Sequence, residues 1–388
     1  QMRQEAIRRA VKPGDRIAGG GGSRHYADMA LVVRECVDAL KEMGAQPFIV
    51  PVMGSHGGST AEGQAATLAG YGVHEQALGV PVDPSMDVEV VGHTAAGVPV
   101  KFARSVLAAD GVIVIARVKP HTGFRAPSES GIVKMLTIGL GKQQGAESLH
   151  RVAIHKFKEL LPEAARIIQR QTNVIAGVAI VENHQDQTGF LEVIPGAQIH
   201  SREPALLVMA REWMPRILVK QCDLLIVDEI GKNISGDGMD PNVTGRFGVP
   251  GLTGGLRAGK VVVRDLTKLT HGSFIGTGVA DVITRRVLEK ADFRGGYMNA
   301  ITASVFTGVK LPLIMDTDRD AIGLALMSCN EVEPDQAKVV RIVNTLNLST
   351  IWVSETVLQV PENRAALEPL TAMQPMAFST DETLLDPQ

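Results

Sequence analysis

The sequence predicts an α/β fold built as two α/β domains with an active-site cleft between them. Three observations predict it. Short Val/Ile-rich runs alternate with longer stretches of helical periodicity. Glycine is abundant, 40 of 388 residues, while aromatics make up only 4%, a balance that suits many tight strand-to-helix turns. The alternation restarts with a new strand after a gap at Trp213 to Gln221. The domains are therefore expected at 1–216, the catalytic and cofactor-binding part, and 217–388, which closes the cleft.

The elements follow in order. Asp28 to Met43 carries a broad apolar stripe (Leu31, Val32, Val33, Cys36, Val37, Leu40) and is stopped by Gly44, so it reads as a helix. Pro47 to Val52 reads as a buried strand and Gly54 to Gly58 as the loop leaving it. Ser59-Thr60-Ala61-Glu62 has the spacing of a capping box, with Ser59 and Glu62 closing the next helix. Gly111 to Val118 is a continuous apolar run ended by Pro120, as expected of a strand buried on both faces. A glycine-punctuated stretch, Thr122 to Gly145, precedes helices at about 146–161 and 162–171 and a strand at Val174 to Val181. The second half begins with a strand at Asp223 to Asp228. It continues through Lys260 to Val263, a helical stretch near Val279 to Lys290, and Arg319 to Ser328.

Composition narrows the function. Hydrophobic residues are 45% of the chain, enough for sizeable cores, and the formal net charge is −3. That balance argues against nucleic acid or an anionic membrane surface as the main partner. No apolar stretch approaches the roughly 20 residues of a membrane span. The three cysteines, Cys36, Cys222 and Cys329, stand far apart. Their spacing supports neither an iron–sulfur cluster nor a zinc ribbon and fits a reducing compartment. The residues from Gln1 to Asp15 hold no signal-peptide core, and a cytoplasmic enzyme is the expectation.

Chemistry is expected where loops leave the carboxyl ends of strands. Two histidines stand there, His56 after the strand ending at Val52 and His121 after the strand ending at Val118, each with glycine close by. An imidazole exchanges a proton near neutral pH. A single loop histidine is more often a cap or a solvated group; two at equivalent strand ends favour chemistry. Ser130-Gly131-Ile132-Val133-Lys134 and Gly139-Leu140-Gly141-Lys142 offer glycines and lysines to a phosphate, without Walker or dinucleotide spacing. Lys134, among apolar neighbours, is either snorkelling or desolvated as a nucleophile. Glu129 either orients that lysine or caps the following helix. His150 stands in a helix with Arg151 and His155, not at the i, i+4 spacing of a helical metal pair. Asn183 to Asp186 reads as a cleft lining or a turn. Asp228-Glu229 with Lys232 and Asn233 reads as a strand end facing the cleft. Asp316, Asp318 and Asp320 read as carboxylates at a helix N-terminus.

Together these residues resemble the nickel-dependent lactate racemase family. Ser23-Arg24 matches a Thr/Ser-Arg pair after the first strand. Gly54-Ser55-His56 matches a Gly-Thr-His loop before a Glu-containing helix, here Thr60-Ala61-Glu62. His121 and Lys134 match a loop histidine followed by a lysine, and His150 keeps the family's sixteen-residue spacing (150 − 134 = 16). The second half is similar only through Ser235-Gly236-Asp237-Gly238-Met239-Asp240-Pro241-Asn242. Gly21 stands where the family often has Asp, and Thr244-Gly245-Arg246 replaces a substrate-holding Gln and Lys.

The resemblance implies a specific chemistry. The cofactor is nickel held by pyridinium-3,5-bisthiocarboxylic acid mononucleotide, the nickel-pincer nucleotide, supplied by cofactor-biosynthesis proteins. Lys134 joins it covalently, and Ser23, Arg24 and Gly131 help bind it. His150 ligates the metal, in a square-planar geometry that suits Ni(II). His56 and His121 are the two bases, one for each enantiomer of a 2-hydroxy acid. Arg24 and Arg246 hold the substrate; a guanidinium grips a carboxylate in bidentate fashion. Removing the Cα hydrogen as hydride avoids building a second negative charge beside the carboxylate. The expected activity is a racemase or epimerase of a 2-hydroxy acid, and a bulkier or sugar-derived acid fits as well as lactate. The alternatives are a nickel-independent hydroxy-acid oxidoreductase or isomerase on the same scaffold, and a non-catalytic nucleotide- or metal-binding protein. A homo-oligomer is compatible with the sequence.

Overall fold

Strands β1 (Arg16–Gly22), β2 (Gln46–Val52), β5 (Gly111–Arg117), β6 (Val174–Glu182) and β7 (Thr188–Pro195) form one sheet in the order β2-β1-β5-β6-β7. Strands β3 (Val88–His93) and β4 (Pro99–Ala103) make a separate antiparallel hairpin. In this computed structural model the described residues are 1–22, 26–152 and 154–386, without the side chains of 155, 302 and 303. The chain divides into two compact units, Gln1–Met214 and Pro215–Gln388, each a mixed α/β assembly around a mostly parallel sheet.

In the first unit the sheet is parallel except for β7. Burial alternates along β5: Val112, Val114 and Ala116 enter one core, Ile113 and Ile115 the other. Helix Met29–Glu42 covers the second face with Val32, Val33, Cys36, Val37 and Leu40. Helices Phe157–Gln171 and Ile199–Trp213 cover the first. Covered faces on both sides are what a continuous apolar strand requires. The glycine run Gly19–Gly22 forms most of β1, in the middle of the sheet. A Cβ on Gly20 would lie 2.6 Å from Val52, so packing across β1 leaves no room for a side chain there.

The second unit carries β8 (Gln221–Ile230), β9 (Arg257–Leu266), β10 (Val282–Thr284), β11 (Leu313–Met315), β12 (Val339–Ile342) and β13 (Trp352–Val353). Their order is β11-β10-β9-β8-β12-β13, antiparallel only at β13. The helical stretch expected near 279–290 is instead strand β10 followed by helix Arg285–Lys290. Val282 pairs with both Val262 and Leu313, so sheet pairing overrides the local pattern.

Two further boundaries move. The cap of helix Ala61–Gly70 is Thr60, whose Oγ1 accepts from the Gly63 amide at 3.0 Å; Ser59 is left-handed and donates to the Ser55 carbonyl. The helix expected at 146–161 is divided. Lys142–His150 ends at the histidine, and Phe157–Gln171 runs on through Pro162.

Candidate active site

Neighbouring strands β2 and β5 flank β1 on opposite sides, so the sheet changes winding direction there. Ligands of open α/β sheets bind outside the carboxyl ends of strands at such a point. The loops leaving β2 and β5 carry His56 and His121. The loop leaving β1 carries Ser23 and Arg24, which lie outside the described residues.

His56 is exposed. Its loop is shaped by buried Gln64, whose Nε2 donates to the carbonyls of Gly54 at 2.9 Å and His56 at 3.2 Å. Gly54 has φ 57°, and a Cβ there would stand 3.1 Å from the Ile138 carbonyl. The Gly54 amide donates to the Gly139 carbonyl at 3.1 Å. The His56 loop is thus fastened to the segment that follows Lys134.

His121 is half-buried in a loop organised by Glu129. That buried carboxylate accepts the amides of His121 at 2.6 Å and Ala126 at 3.1 Å and pairs with Arg211. Glu129 therefore does not cap the next helix: it builds the turn that presents His121. The His121 Nδ1 accepts the Gly123 amide at 2.9 Å, which puts the proton of the neutral ring on Nε2.

Lys134 ends the single turn Ile132–Lys134, a π turn follows at Met135–Gly139, and His150 closes helix Lys142–His150. Burial, reinforced by the Lys134 charge, holds His150 down at about 4. His150 is therefore a neutral imidazole at physiological pH, the form that ligates metals. Its ring lies 5.1 Å from Phe157, Phe157 lies 5.5 Å from Phe124, and Phe124 lies 4.4 Å from the His121 ring. An aromatic series therefore connects the two histidines. Among the described residues no group of three or more His, Cys, Asp or Glu forms a metal site of its own.

Other expected residues are placed differently. Gly131 is buried against Glu203, whose carboxylate stands 2.8–3.0 Å from where a Cβ would be. Arg246 is engaged within the second unit by Asp281 at 2.8 Å and the carbonyls of Ala258 and Gly259. Asn183 makes a turn, its Oδ1 accepting the amides of Gln185 and Gln187. Asp228 is taken up by Arg264 and Arg341.

Lys142 corrects the phosphate-cradle expectation. It is fully buried, left-handed at φ 54°, and donates from Nζ to the Pro51 carbonyl at 2.8 Å. Burial pulls its amine from 10.5 down to about 8. The folded chain binds this proton less tightly than the unfolded chain, so stability rises with pH between those values. Below pH 8 the buried charge costs about 3 kcal/mol, partly offset by about 1–3 kcal/mol for the bond to Pro51. Lys142→Met is expected to exceed wild type in stability at pH 7 by about 1 kcal/mol and to lose that advantage as pH rises towards 10.5. Urea midpoints at both ends of that range test this; parallel pH profiles for the two proteins would exclude a buried ammonium.

A family model described as a domain of unknown function, DUF362, matches residues 23–209. None of the curated proteins matches the chain. Among solved structures the chain is similar to the lactate racemase apoprotein from Thermoanaerobacterium thermosaccharolyticum, with a TM-score of 0.54, 11% identity and 88% of each chain covered. That likeness establishes a lactate racemase-like fold.

Proposed function

We propose that the protein is a racemase or epimerase of a 2-hydroxy acid that works with a nickel-pincer nucleotide. The observation that carries this reading is a half-buried His150 near enough to Lys134 to feel its charge, its ring joined to His121 by the Phe124–Phe157 series. The likeness of fold to a lactate racemase apoprotein supports it.

The residues fit the group. Lys134 offers an amine for covalent attachment, and His150 offers a nitrogen lone pair that burial keeps free of a proton at neutral pH. When bound, the group supplies a hydride acceptor for the substrate Cα. The chain's own residues do the rest. As a base His121 would take the hydroxyl proton at Nε2 to become an imidazolium, which would return that proton to the substrate oxygen in the reverse direction; the resting ring instead holds its proton on Nε2. To take a hydroxyl proton at Nε2 its ring must first carry the proton on Nδ1, releasing the Gly123 amide. His56, on the neighbouring strand-end loop, serves the opposite enantiomer. Arg24 holds the carboxylate. Phe124 and Phe157, buried between His121 and His150, would offer an apolar wall beside a keto intermediate, which needs protection from water.

Protein coexpressed with the cofactor-making enzymes is to be weighed intact and incubated with single enantiomers of 2-hydroxy acids. An adduct together with loss of optical purity is expected. A chain that carries the adduct yet leaves every acid optically pure would refute the racemase reading; NAD binding without an adduct would favour an oxidoreductase.

The two histidines have separable effects. His56→Ala and His121→Ala are each expected to lower racemisation by about 10²–10⁴-fold while retaining the adduct. Each variant should still oxidise one enantiomer, and a different one, in a single turnover. Unchanged racemisation in either variant removes that histidine from the mechanism.

A further inference from the structure

Helix Ile199–Trp213 sends one carboxylate into the core of the first unit. Ile199, Glu203, Leu206, Leu207 and Ala210 form its buried stripe, and Glu203 is fully buried among them. Its Oε2 accepts the Val133 amide at 3.0 Å. The Ile132 amide and the Ser128 hydroxyl also face it and favour its charged form. The Val133 amide belongs to the turn that ends at Lys134. Gly131 leaves that space open for the carboxylate. The carboxylate remains costly in this place: burial raises it to about 7 despite the amide, and its Oε1 has no hydrogen-bond partner among the described residues. A hydrophobic side chain would pack the same stripe without that cost.

We propose that Glu203 is a positioning residue for Lys134: it grips the amide of Val133, beside the open Gly131, so that the following turn presents the Lys134 amine towards His150. Loss of the grip leaves the buried Val133 amide without an acceptor and frees the turn to open. The consequence for cofactor attachment rests on the function proposed above; the positioning itself does not.

The test reads Lys134 directly in cofactor-free protein. Trace acetylation with acetic anhydride, resolved by peptide mass, gives the reactivity of Lys134 relative to exposed Lys158 in the same chain. In Glu203→Ala the Lys134 amine is expected to change from half-buried to freely moving and to label about tenfold faster. Glu203→Gln, which keeps an oxygen acceptor, is expected to restore most of the wild-type ratio. Gly131→Ala supplies a second route, because its methyl must displace the carboxylate with Glu203 intact; it too should raise labelling. Unchanged Lys134 labelling in folded Glu203→Ala or Gly131→Ala overturns the proposal. So does Glu203→Gln behaving like Glu203→Ala. Intact mass after coexpression then separates the two claims. Labelling that responds while wild type takes up no adduct upholds the positioning role and removes the cofactor assignment.

Discussion

Lys134→Ala, coexpressed with the cofactor-making enzymes, is expected to carry no covalent adduct and to show no racemisation above background. The amine is the only group at this position that can form the attachment, so the loss is complete rather than graded. Lys134→Arg is expected to fail as fully, because a guanidinium stays charged and offers no free nucleophilic amine. His150→Ala should separate the two functions, keeping the organic adduct while losing metal, as elemental analysis would record. A cofactor-free control checks the geometry beneath these expectations. Burial comes first and the Lys134 charge second in holding His150 at about 4. Removing the lysine is therefore expected to raise the His150 titration, still short of an ordinary histidine. A His150 ring resonance that titrates identically in Lys134→Ala would mean the two side chains do not face one another, and the assignment of both would fall.

The second large effect is expected in the other unit and concerns stability. Arg264 is buried and donates to Asp318 at 2.6 and 3.0 Å, to Asp228 at 2.6 Å and to the Leu384 carbonyl at 2.8 Å. Arg341 shares Asp228 and reaches the Leu385 carbonyl. Arg286 also pairs with Asp318. Removing one partner from such a network leaves uncompensated buried charge, which costs about 3–5 kcal/mol. Arg264→Ala is expected to lower the unfolding midpoint of this unit accordingly. Arg285→Ala, whose pair with Asp316 is half exposed, should cost no more than about 1 kcal/mol. Burial alone would raise the Asp318 carboxyl, but bonds from Arg264 and the Leu384 amide, with the charges of Arg264 and Arg286, hold it below 3.8. Its contribution is thus complete above about pH 4 and is lost as pH falls through the lower folded value. Equal midpoints for Arg264→Ala and Arg285→Ala would show that the buried network adds nothing.

Much of the scaffold was legible because burial writes itself into periodicity. The stripe from Val32 to Leu40 and the apolar run of β5 both read correctly, and so did the placement of His56 and His121 at strand ends. What stayed illegible depends on contacts between distant segments. Strand β10 is short and looks helical until its two neighbours are known. Asp318 reads as a helix-end carboxylate, yet its partner Arg264 lies 54 residues away. Lys142 sits among glycines that suggest a phosphate loop, whereas its acceptor belongs to β2. Glu203 had a signal that went unread: a carboxylate at the i+4 position of an otherwise apolar stripe.

Sixteen residues of uninterrupted α-helix would turn Lys134 and His150 about 160° apart, onto nearly opposite sides. The π turn at Met135–Gly139 and the left-handed residue at Lys142 change that phase. Residue count in this short stretch therefore behaves as an angular coordinate. Deleting one residue between 135 and 141 would shorten the path by little yet swing the lysine by about 100°, so length here should tolerate less variation than residue identity does.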